Sequence, residues 1–218
     1  MKPLLLVGAN NPELVRQAQA VMAAGQPVAG LLDNDPSKRG IDFYGLPILG
    51  GFELLVGLVD QYRFVNLITR DCRTRHQTTR SLLAAGAELG QFIHPQVELG
   101  MVALGAGSYL QQHAVLQADV HLGRNCSVSA GSIVNHECRL GDSVFIAPGA
   151  NLCGKVEIGD GVFVGAGAVI LPRLKIGGWA TIGAGAVVTC DVPAGAVMVG
   201  NPARILRYES IVKESLDA

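Results

Sequence analysis

The sequence predicts two structural units in a chain of 218 residues, a small α/β domain over residues 1–90 and a parallel β-helix over residues 91–202. Two observations predict them. In the first part, short apolar runs alternate with segments of helical character, which is typical of βαβ units. In the second part, aliphatic residues recur at every sixth position and glycines at every eighteenth, which is typical of a β-helix. We expect a short helix over residues 203–218 to cover the open end of the β-helix.

The α/β domain is predicted from strands and helices that follow one another in order. Leu4–Val7 is an apolar run, and residues 12–24 fit a helix with Asn11 as its N-cap. Further elements are predicted as strands at Val28–Leu32 and residues 62–69, and as a helix at residues 74–85. We therefore expect a small parallel sheet with helices around it, as in a truncated nucleotide-binding fold.

The β-helix is predicted from fifteen aliphatic residues spaced six apart, from Leu104 to Val188. The residue two positions before each of them is usually small, as at Ser108 and Ala114, so each hexad has two inward positions. Two series of glycines recur every eighteen residues, at Gly105, Gly123, Gly141, Gly159 and Gly177 and at Gly131, Gly149, Gly167 and Gly185. Three hexads therefore form one coil, and we expect the glycines to stack at corners that need a positive φ or a close approach of the backbone.

Composition and charge exclude several classes of function. With 17 basic and 18 acidic side chains the net charge is −1, so bulk attraction to nucleic acid or to an anionic membrane is excluded. The longest apolar stretch, residues 162–172, is shorter than the roughly 20 residues that a membrane span needs. The five cysteines contain no C-x-x-C pair, and the first residues lack the apolar region of an export signal. We therefore expect a soluble, cytoplasmic protein.

A histidine and a glutamate lie side by side where the hexads place a corner. His136 and Glu137 follow the inward residue Val134, and on a turn both side chains can point outwards. A carboxylate beside an imidazole favours the imidazolium and fixes the tautomer, which is a general-base arrangement. The residues one coil below and above His136 are Ala118 and Gly154, so a recess is expected around the ring. The alternative interpretation of this pair is a solvated His-Glu dipeptide on a turn.

Four features together resemble the NeuD/PglD-type bacterial sugar acetyltransferases: the hexads, the string NHECRLGD at residues 135–142, APGA at residues 147–150 and GNPAR at residues 200–204. This family comprises sialic-acid O-acetyltransferase-like proteins and nucleotide-amino-sugar N-acetyltransferases. The resemblance implies a small Rossmann-like domain ahead of a left-handed β-helix, assembly as a homotrimer, and acetyl-CoA as co-substrate without a metal. It also implies an acceptor amine on a nucleotide-linked amino sugar used for a surface glycan.

The resemblance also implies roles for individual residues. His136 matches the base that takes a proton from the acceptor as it attacks the thioester, and Glu137 matches the carboxylate that raises the basicity of the imidazole. Matches to the family's cofactor-binding positions are Gly154, Ala166 and Ala184 beside the pantetheine, and Gly200, Asn201, Pro202 and Arg204 beside the CoA nucleotide. For the first three, ordinary packing of small residues at turns is an equal alternative.

In the first domain, the match to the family's substrate site is less complete. The implied diphosphate-binding turn contains Gly8, Asn10 and Asn11, and the implied base- or ribose-reading pair is Asp33 and Asn34. An Asp-Asn-Asp-Pro turn over residues 33–36 is the alternative for that pair. The first turn lacks the family's second glycines and its usual histidine.

Two further positions depart from the family in the β-helix. Phe145 stands where relatives often carry a second histidine, and Ser129 stands where several members have asparagine. These departures affect the identity of the substrate rather than the type of reaction.

Three alternatives to amine acetylation remain open from the sequence. The first is O-acetylation of sialic acid or another surface-glycan sugar, which needs the same base. The second is metal-dependent hydration by a β-helix trimer, but the histidines, including His113 and His121, are not grouped as zinc ligands would be. The third is a scaffold or effector-binding β-helix without catalysis. Cys126 and Cys138 occupy inward positions and are interpreted as core residues.

Overall fold

The computed structural model describes residues 2–9, 11–68, 71–211 and 216, and its N-terminal part is a six-stranded sheet with helices on both faces. The helices of the described residues are α1 (Pro12–Ala23), α2 (Leu55–Leu58) and α3 (Cys72–Ala84), with 3-10 turns at Pro36–Lys38 and Phe52–Leu54. The strands are β1 (Leu4–Val7), β2 (Val28–Leu32), β3 (Asp42–Phe43), β4 (Leu46–Gly50), β5 (Arg63–Asn66) and β6 (Glu88–Leu89). Their order is β3-β4-β2-β1-β5-β6, and every pair is parallel except β3–β4. The predicted parallel α/β domain is confirmed.

The local sequence explains the first βαβ unit. Along β1, Leu4 and Leu6 pack into one apolar cluster and Leu5 into another, so the strand is buried on both faces. Helix α1 begins where the Asn11 side chain accepts a hydrogen bond from the Glu13 amide at 2.7 Å. Both features agree with the prediction, and the observed end of α1 lies one residue before the predicted one.

The second part of the chain is a parallel β-helix with three sides. One side, which we name the covered side, contains β7 (Phe92–Ile93), β9 (Tyr109–Leu110), β12 (Ser127–Val128), β15 (Phe145–Ile146), β18 (Phe163–Val164), β21 (Thr181–Ile182), β23 (Ala196–Val199) and β24 (Arg204–Tyr208). The apolar side contains β10 (Val115–Leu116), β13 (Ile133–Val134), β16 (Asn151–Leu152), β19 (Val169–Ile170) and β22 (Val187–Val188). The charged side contains β8 (Val102–Leu104), β11 (Val120–Leu122), β14 (Arg139–Leu140), β17 (Glu157–Ile158) and β20 (Lys175–Ile176).

The observed register confirms the eighteen-residue coil. Ile133 pairs with Val115 in the coil below and with Asn151 in the coil above. The aliphatic residues of the hexads and the small residues two positions before them together form one buried column, in which Cys126 and Cys138 are fully buried. Each coil therefore adds the same two inward residues per side to a continuous core.

The two glycine series serve different purposes at the corners. Gly131, Gly149, Gly167 and Gly185 have φ between 65° and 69°, which is the left-handed region that favours glycine. In the other series, a Cβ on Gly105 would lie 2.3 Å from the carbonyl carbon of Gly123 in the next coil. Both reasons given for the glycines, positive φ and close approach, are thus confirmed.

The N-terminal part packs on the covered side of the β-helix. Cys72 of α3 lies in a buried cluster with Phe145, Trp179 and Phe163 from the β-helix. The fully buried Arg75 of α3 donates from Nε to the carbonyl of Asn125 at 2.9 Å. No helix in the part of the chain that the structure describes has the length and apolar character of a membrane span.

The prediction of a closing helix from residue 203 is wrong over Arg204–Tyr208. These residues form β24, which pairs antiparallel with β23. Strand β23 would otherwise present an unpaired edge, and β24 satisfies the hydrogen-bonding groups along it. Residues 212–215, 217 and 218, which the predicted helix also covers, lie outside the described residues.

Candidate active site

His136 and Glu137 lie on the corner that joins β13 of the apolar side to β14 of the charged side. The His136 side chain is 54% exposed, so the ring lies outside the three-sided prism that the β-helix forms, as predicted. Its Nδ1 atom lies 2.8 Å from Oε2 of Glu137. A carboxylate oxygen accepts hydrogen bonds only, so in the neutral imidazole Nδ1 carries the proton and Nε2 presents a lone pair. The pair thus has the tautomer that a general base needs.

The stacking of coils creates the recess beside the ring. The amide of Glu137 donates to the carbonyl of Ala118 at 3.0 Å, and the amide of Lys155 donates to the carbonyl of His136 at 2.9 Å. A Cβ added to Gly154 would lie 2.6 Å from Nε2 of His136. The imidazole therefore lies directly against the α-carbon of Gly154, and only glycine leaves the ring this position.

A lysine from the coil above completes the charge arrangement. Nζ of Lys155 lies 3.3 Å from Oε1 of Glu137, while the other carboxylate oxygen faces His136. The hydrogen bond with His136, followed by the contact with Lys155, lowers the pKa of the Glu137 carboxyl from its usual value. Glu137 is therefore ionised throughout the neutral range. Sequence reasoning missed Lys155, although it stands eighteen residues after Glu137 and the coil length could have revealed it.

The predicted cofactor residues lie on two different corners. Ala166 and Ala184 are exposed and stack on the corner between the covered and apolar sides, where the amide of Gly185 donates to the carbonyl of Ala166 at 2.8 Å. Gly154 lies with His136 on the corner between the apolar and charged sides. Within one chain, a full side of the prism separates Gly154 from the two alanines.

The segment from Gly200 to Arg204 lies at the end of the apolar side. The amide of Val187 donates to the carbonyl of Gly200 at 3.0 Å, and the amide of Ala203 donates to the carbonyl of Val187 at 2.8 Å. Asn201 and Pro202, joined by a cis peptide bond, are exposed between them. The Arg204 side chain is exposed and donates to the carbonyl of Ala203 at 2.9 Å. This segment lies on the corner of Ala184, because Val199 approaches Gly183.

In the α/β domain, the structure brings together three of the predicted substrate residues. Gly8, Asp33 and Asn34 line a cavity of about 230 Å³ at the carboxyl ends of β1 and β2. The other lining residues are Val7, Leu32, Phe52, Ile68 and Thr78. Ligands of open parallel sheets bind at this edge. Asn10 lies outside the described residues.

Asp33 ties the turn after β1 to the turn after β2. Its Oδ2 accepts hydrogen bonds from the Ala9 amide at 2.9 Å and from Nζ of Lys38 at 2.8 Å, and Oδ1 accepts from the Asp35 amide at 2.9 Å. Burial raises the pKa of the Asp33 carboxyl, but the bonds from Lys38, Asp35 and Ala9 outweigh it and the pKa lies below its usual value. Asp33 is thus a charged support of the cavity wall.

A second cavity, of about 220 Å³, lies between α1 and the β-helix. Asn11 lines this cavity rather than the first one, and its side chain also caps α1. The other lining residues are Glu13, Leu14, Leu67, Tyr109, Gln111, Ser129, Phe145 and Pro148. Both departures noted in the β-helix, Ser129 and Phe145, thus lie in one cavity. Phe145 stacks on Phe163, with ring centroids 5.2 Å apart.

The position of this cavity could not be read from the sequence. The residues from the β-helix follow the coil period, since Gln111 and Ser129 stand eighteen residues apart. No spacing along the chain relates them to the residues from α1 and from the end of β5. In the described ranges, no group of three or more His, Cys, Asp or Glu side chains could hold a metal ion.

Comparison with known proteins connects this geometry to a family. The bacterial transferase hexapeptide family (six repeats) matches residues 137–172. The acetyltransferase domain of PglB from Neisseria gonorrhoeae FA1090 is 31% identical, with a TM-score of 0.85 over 94% of this chain and 100% of that chain. The chain belongs to the NeuD/PglD-type sugar acetyltransferases.

Two other solved structures are similar to this acetyltransferase. PerB from Caulobacter crescentus, in complex with CoA and GDP-perosamine, is 30% identical, with a TM-score of 0.84 over 94% of this chain and 97% of that chain. WeeI from Acinetobacter baumannii AYE is 29% identical, with a TM-score of 0.81 over 94% of this chain and 100% of that chain. The β-helix of the acetyltransferase is of the left-handed type. The chain has no significant match among curated proteins.

Proposed function

We propose that this acetyltransferase transfers the acetyl group of acetyl-CoA to the amine of a nucleotide-linked amino sugar, with His136 as the general base. The observation that carries the proposal is the His136–Glu137 pair on an exposed corner, with Nε2 over the α-carbon of Gly154. Support for the substrates comes from PglB, which is solved with acetyl coenzyme A, and from PerB, which is solved with CoA and GDP-perosamine. We place the reaction in the cytoplasm.

The proposed reaction needs one proton acceptor and no acyl-enzyme. The amine nitrogen attacks the thioester carbonyl carbon, and Nε2 of His136 takes a proton from that nitrogen. Glu137 holds the proton on Nδ1 and stabilises the imidazolium that forms. The carbon–sulfur bond then breaks, and the imidazolium returns its proton to the departing CoA sulfur. The products are an N-acetyl sugar and free CoA.

The exposed small residues fit a long, thin co-substrate. Ala166 and Ala184 leave a corner without large side chains, and the segment from Gly200 to Arg204 lies beside its upper end. Pantetheine would lie along this corner, and the Arg204 guanidinium is available to a phosphate of CoA.

The two cavities fit the two ends of a nucleotide sugar. The first cavity, with Asp33 and Asn34, would take the nucleoside, and the diphosphate would lie at the start of α1. The second cavity would take the sugar, because Asn11 at the start of α1 is part of its lining. Its walls include Leu14, Leu67 and Phe145.

The positions of these parts support a homotrimer. The second cavity adjoins the corner of Ser129 and Pro148, whereas His136 lies on the other corner of the apolar side. A side of six residues spans up to about 20 Å, which is too far for direct proton transfer. We therefore propose that the sugar bound by one copy reaches His136 of a neighbouring copy.

The composition of the sides indicates which one is buried in the trimer. Outward residues of the apolar side are Val115, Ile133, Asn151, Val169 and Val187, and those of the charged side are Ala103, His121, Arg139, Glu157 and Lys175. Burying the apolar side between copies removes the exposed Val115 and the partly exposed Val169 and Val187 from water. It also brings the two corners of the proposed active site together.

The activity is tested by release of the CoA thiol. Purified protein is mixed with acetyl-CoA and UDP-, GDP- or dTDP-linked amino sugars, and the acetylated product is identified by mass spectrometry. We expect thiol release only with an acceptor that has a free amine, in a 1:1 ratio to product, and none with the same sugar already N-acetylated. Thiol release with a sugar that has only hydroxyls would contradict the choice of nitrogen, and no release with any acceptor would contradict the proposal.

The trimer is tested by a charge on the apolar side. We expect Val169→Asp to dissociate the protein into monomers in light scattering and to abolish acetyl transfer, because the carboxylate cannot be buried without a partner. The control is Glu157→Gln on the charged side, which should remain trimeric and active. A Val169→Asp protein that stays trimeric would show that another side forms the interface.

A further inference from the structure

The corner that carries His136 has a column of charged residues in the left-handed conformation. Asp119, Glu137, Lys155 and Arg173 stand eighteen residues apart and all have φ between 60° and 63°. At the other corner of the apolar side, the left-handed positions of four successive coils are glycines. A side chain in this conformation costs about 1–2 kcal/mol relative to glycine. Each charged side chain on the His136 corner therefore adopts a backbone conformation that glycine adopts at lower cost.

Within this column, the Lys155 side chain contacts the carboxylate that faces the proposed base. Its Nζ lies 3.3 Å from Oε1 of Glu137, and Oε2 of the same carboxylate lies 2.8 Å from Nδ1 of His136. The three groups thus form a chain in which the carboxylate is held at both oxygens. The Lys155 and Glu137 side chains are 45% and 44% exposed. An ion pair this exposed adds little to the stability of the fold, so its effect is local.

We propose that Lys155 is a positioning residue for the reaction, which holds Oε1 of Glu137 so that Oε2 faces His136 and which sets the pH range in which His136 acts as a base. The inference rests on the proposed function. Two effects follow from the geometry. The carboxylate cannot rotate away from the imidazole while Lys155 holds its second oxygen. The ammonium also offsets part of the negative charge of Glu137, so the imidazolium is less favoured than beside an unshared carboxylate.

Other charged groups of the same column stand one coil from Glu137 and Lys155. One coil below Glu137, Asp119 is bound by Arg139 at 2.7 Å and by His121 at 3.1 Å. Arg173 lies one coil above Lys155, and the amide of Arg173 donates to the carbonyl of Gly154 at 3.1 Å. Lys155 is thus the cation that contacts the Glu137 carboxylate itself.

The experiment compares the pH profiles of kcat/KM for the amino-sugar acceptor in wild-type, Lys155→Met and Lys155→Arg proteins. Without Lys155 the imidazolium is stabilised more strongly, so we expect the acidic limb of Lys155→Met to move to higher pH by about half a unit. Lys155→Arg should restore the wild-type limb. The control is Lys175→Met, because Lys175 contacts Glu157 at 3.1 Å across one coil in the same way but away from His136. Its profile should equal that of the wild type.

Salt separates a charge effect from a structural one. At about 1 M salt the Debye length is about 3 Å, so the difference between wild-type and Lys155→Met limbs should nearly vanish. The inference would be overturned if the acidic limb of the Lys155→Met pH profile coincided with that of the wild type at low salt. It would also be overturned if the shift of that limb persisted unchanged at high salt. His136→Ala, measured in parallel, tests the proposed function separately, because activity in that variant would overturn the role of His136 whatever Lys155 does.

Discussion

Gly154→Ala is a minimal perturbation of the proposed base. The added methyl carbon would lie 2.6 Å from Nε2 and 2.7 Å from Cε1 of His136. Ordinary contacts between such atoms are about 3.5 Å, so the ring has to move by about 1 Å. His136 is an exposed side chain and can move without disturbing the core, so the melting temperature should change little. A displacement of about 1 Å in a catalytic group can reduce kcat about 10²-fold.

The assay measures kcat by thiol release with saturating acetyl-CoA and acceptor, and folding by circular dichroism. Gly57→Ala is the matched control, because a Cβ on Gly57 meets nothing within 4 Å and the residue lies in α2, away from the β-helix corner. It should keep the wild-type kcat and melting temperature. A folded Gly154→Ala protein with the wild-type kcat would refute the reasoning that the position of this ring over Gly154 matters for the reaction.

Further predictions concern Asp33 in the α/β domain and Arg75 at the junction of that domain with the β-helix. Asp33→Asn should raise the acceptor KM at least about tenfold and leave the acetyl-CoA KM within about twofold in steady-state assays, because Asp33 lines the cavity and its carboxylate accepts the amides of Ala9 and Asp35 from the two adjoining turns. Because folding lowers the pKa of Asp33, its ionised carboxylate stabilises the folded state fully above the usual carboxyl pKa of about 4. Below that pH the difference in melting temperature between wild type and Asp33→Asn should shrink, and a constant difference would contradict this. Arg75→Met should lower the free energy of unfolding by about 3 kcal/mol in urea titrations, because three backbone carbonyls, those of Asn125, Asn66 and Ile68, lose a buried charged donor. The control is Arg16→Met at an exposed position, which should leave the free energy of unfolding unchanged.

The β-helix could be predicted from the sequence because its rule is local and repeated. Each coil needs the same inward residues at the same spacing, so the period from Leu104 to Val188 determines both the core and the corners. The exposure of His136 and its contact with Glu137 followed from that register. The same register places Lys155 one coil above Glu137, but the direction of its long, flexible side chain depends on contacts that the register does not express.

The remaining features depend on contacts that no spacing expresses. Strand β24 forms because β23 offers an unpaired edge, and an isolated sequence of Arg204–Tyr208 does not reveal that edge. The second cavity forms only when α1 packs on the covered side, which brings Asn11 beside Phe145. The resemblance implies that Gly154 and Ala166 both lie beside the pantetheine, but twelve residues are two thirds of a coil and place them on different corners of one chain.

The central claim, that His136 is the base for acetyl transfer, is tested most directly by the single-turnover rate of product formation in His136→Ala. With acetyl-CoA and an amino-sugar acceptor bound, the account predicts a rate lower by about 10²–10⁴-fold. Added imidazole should recover part of that rate by occupying the space over Gly154. A rate within a few-fold of the wild type, or a loss that imidazole does not relieve while both substrates still bind, would contradict the account.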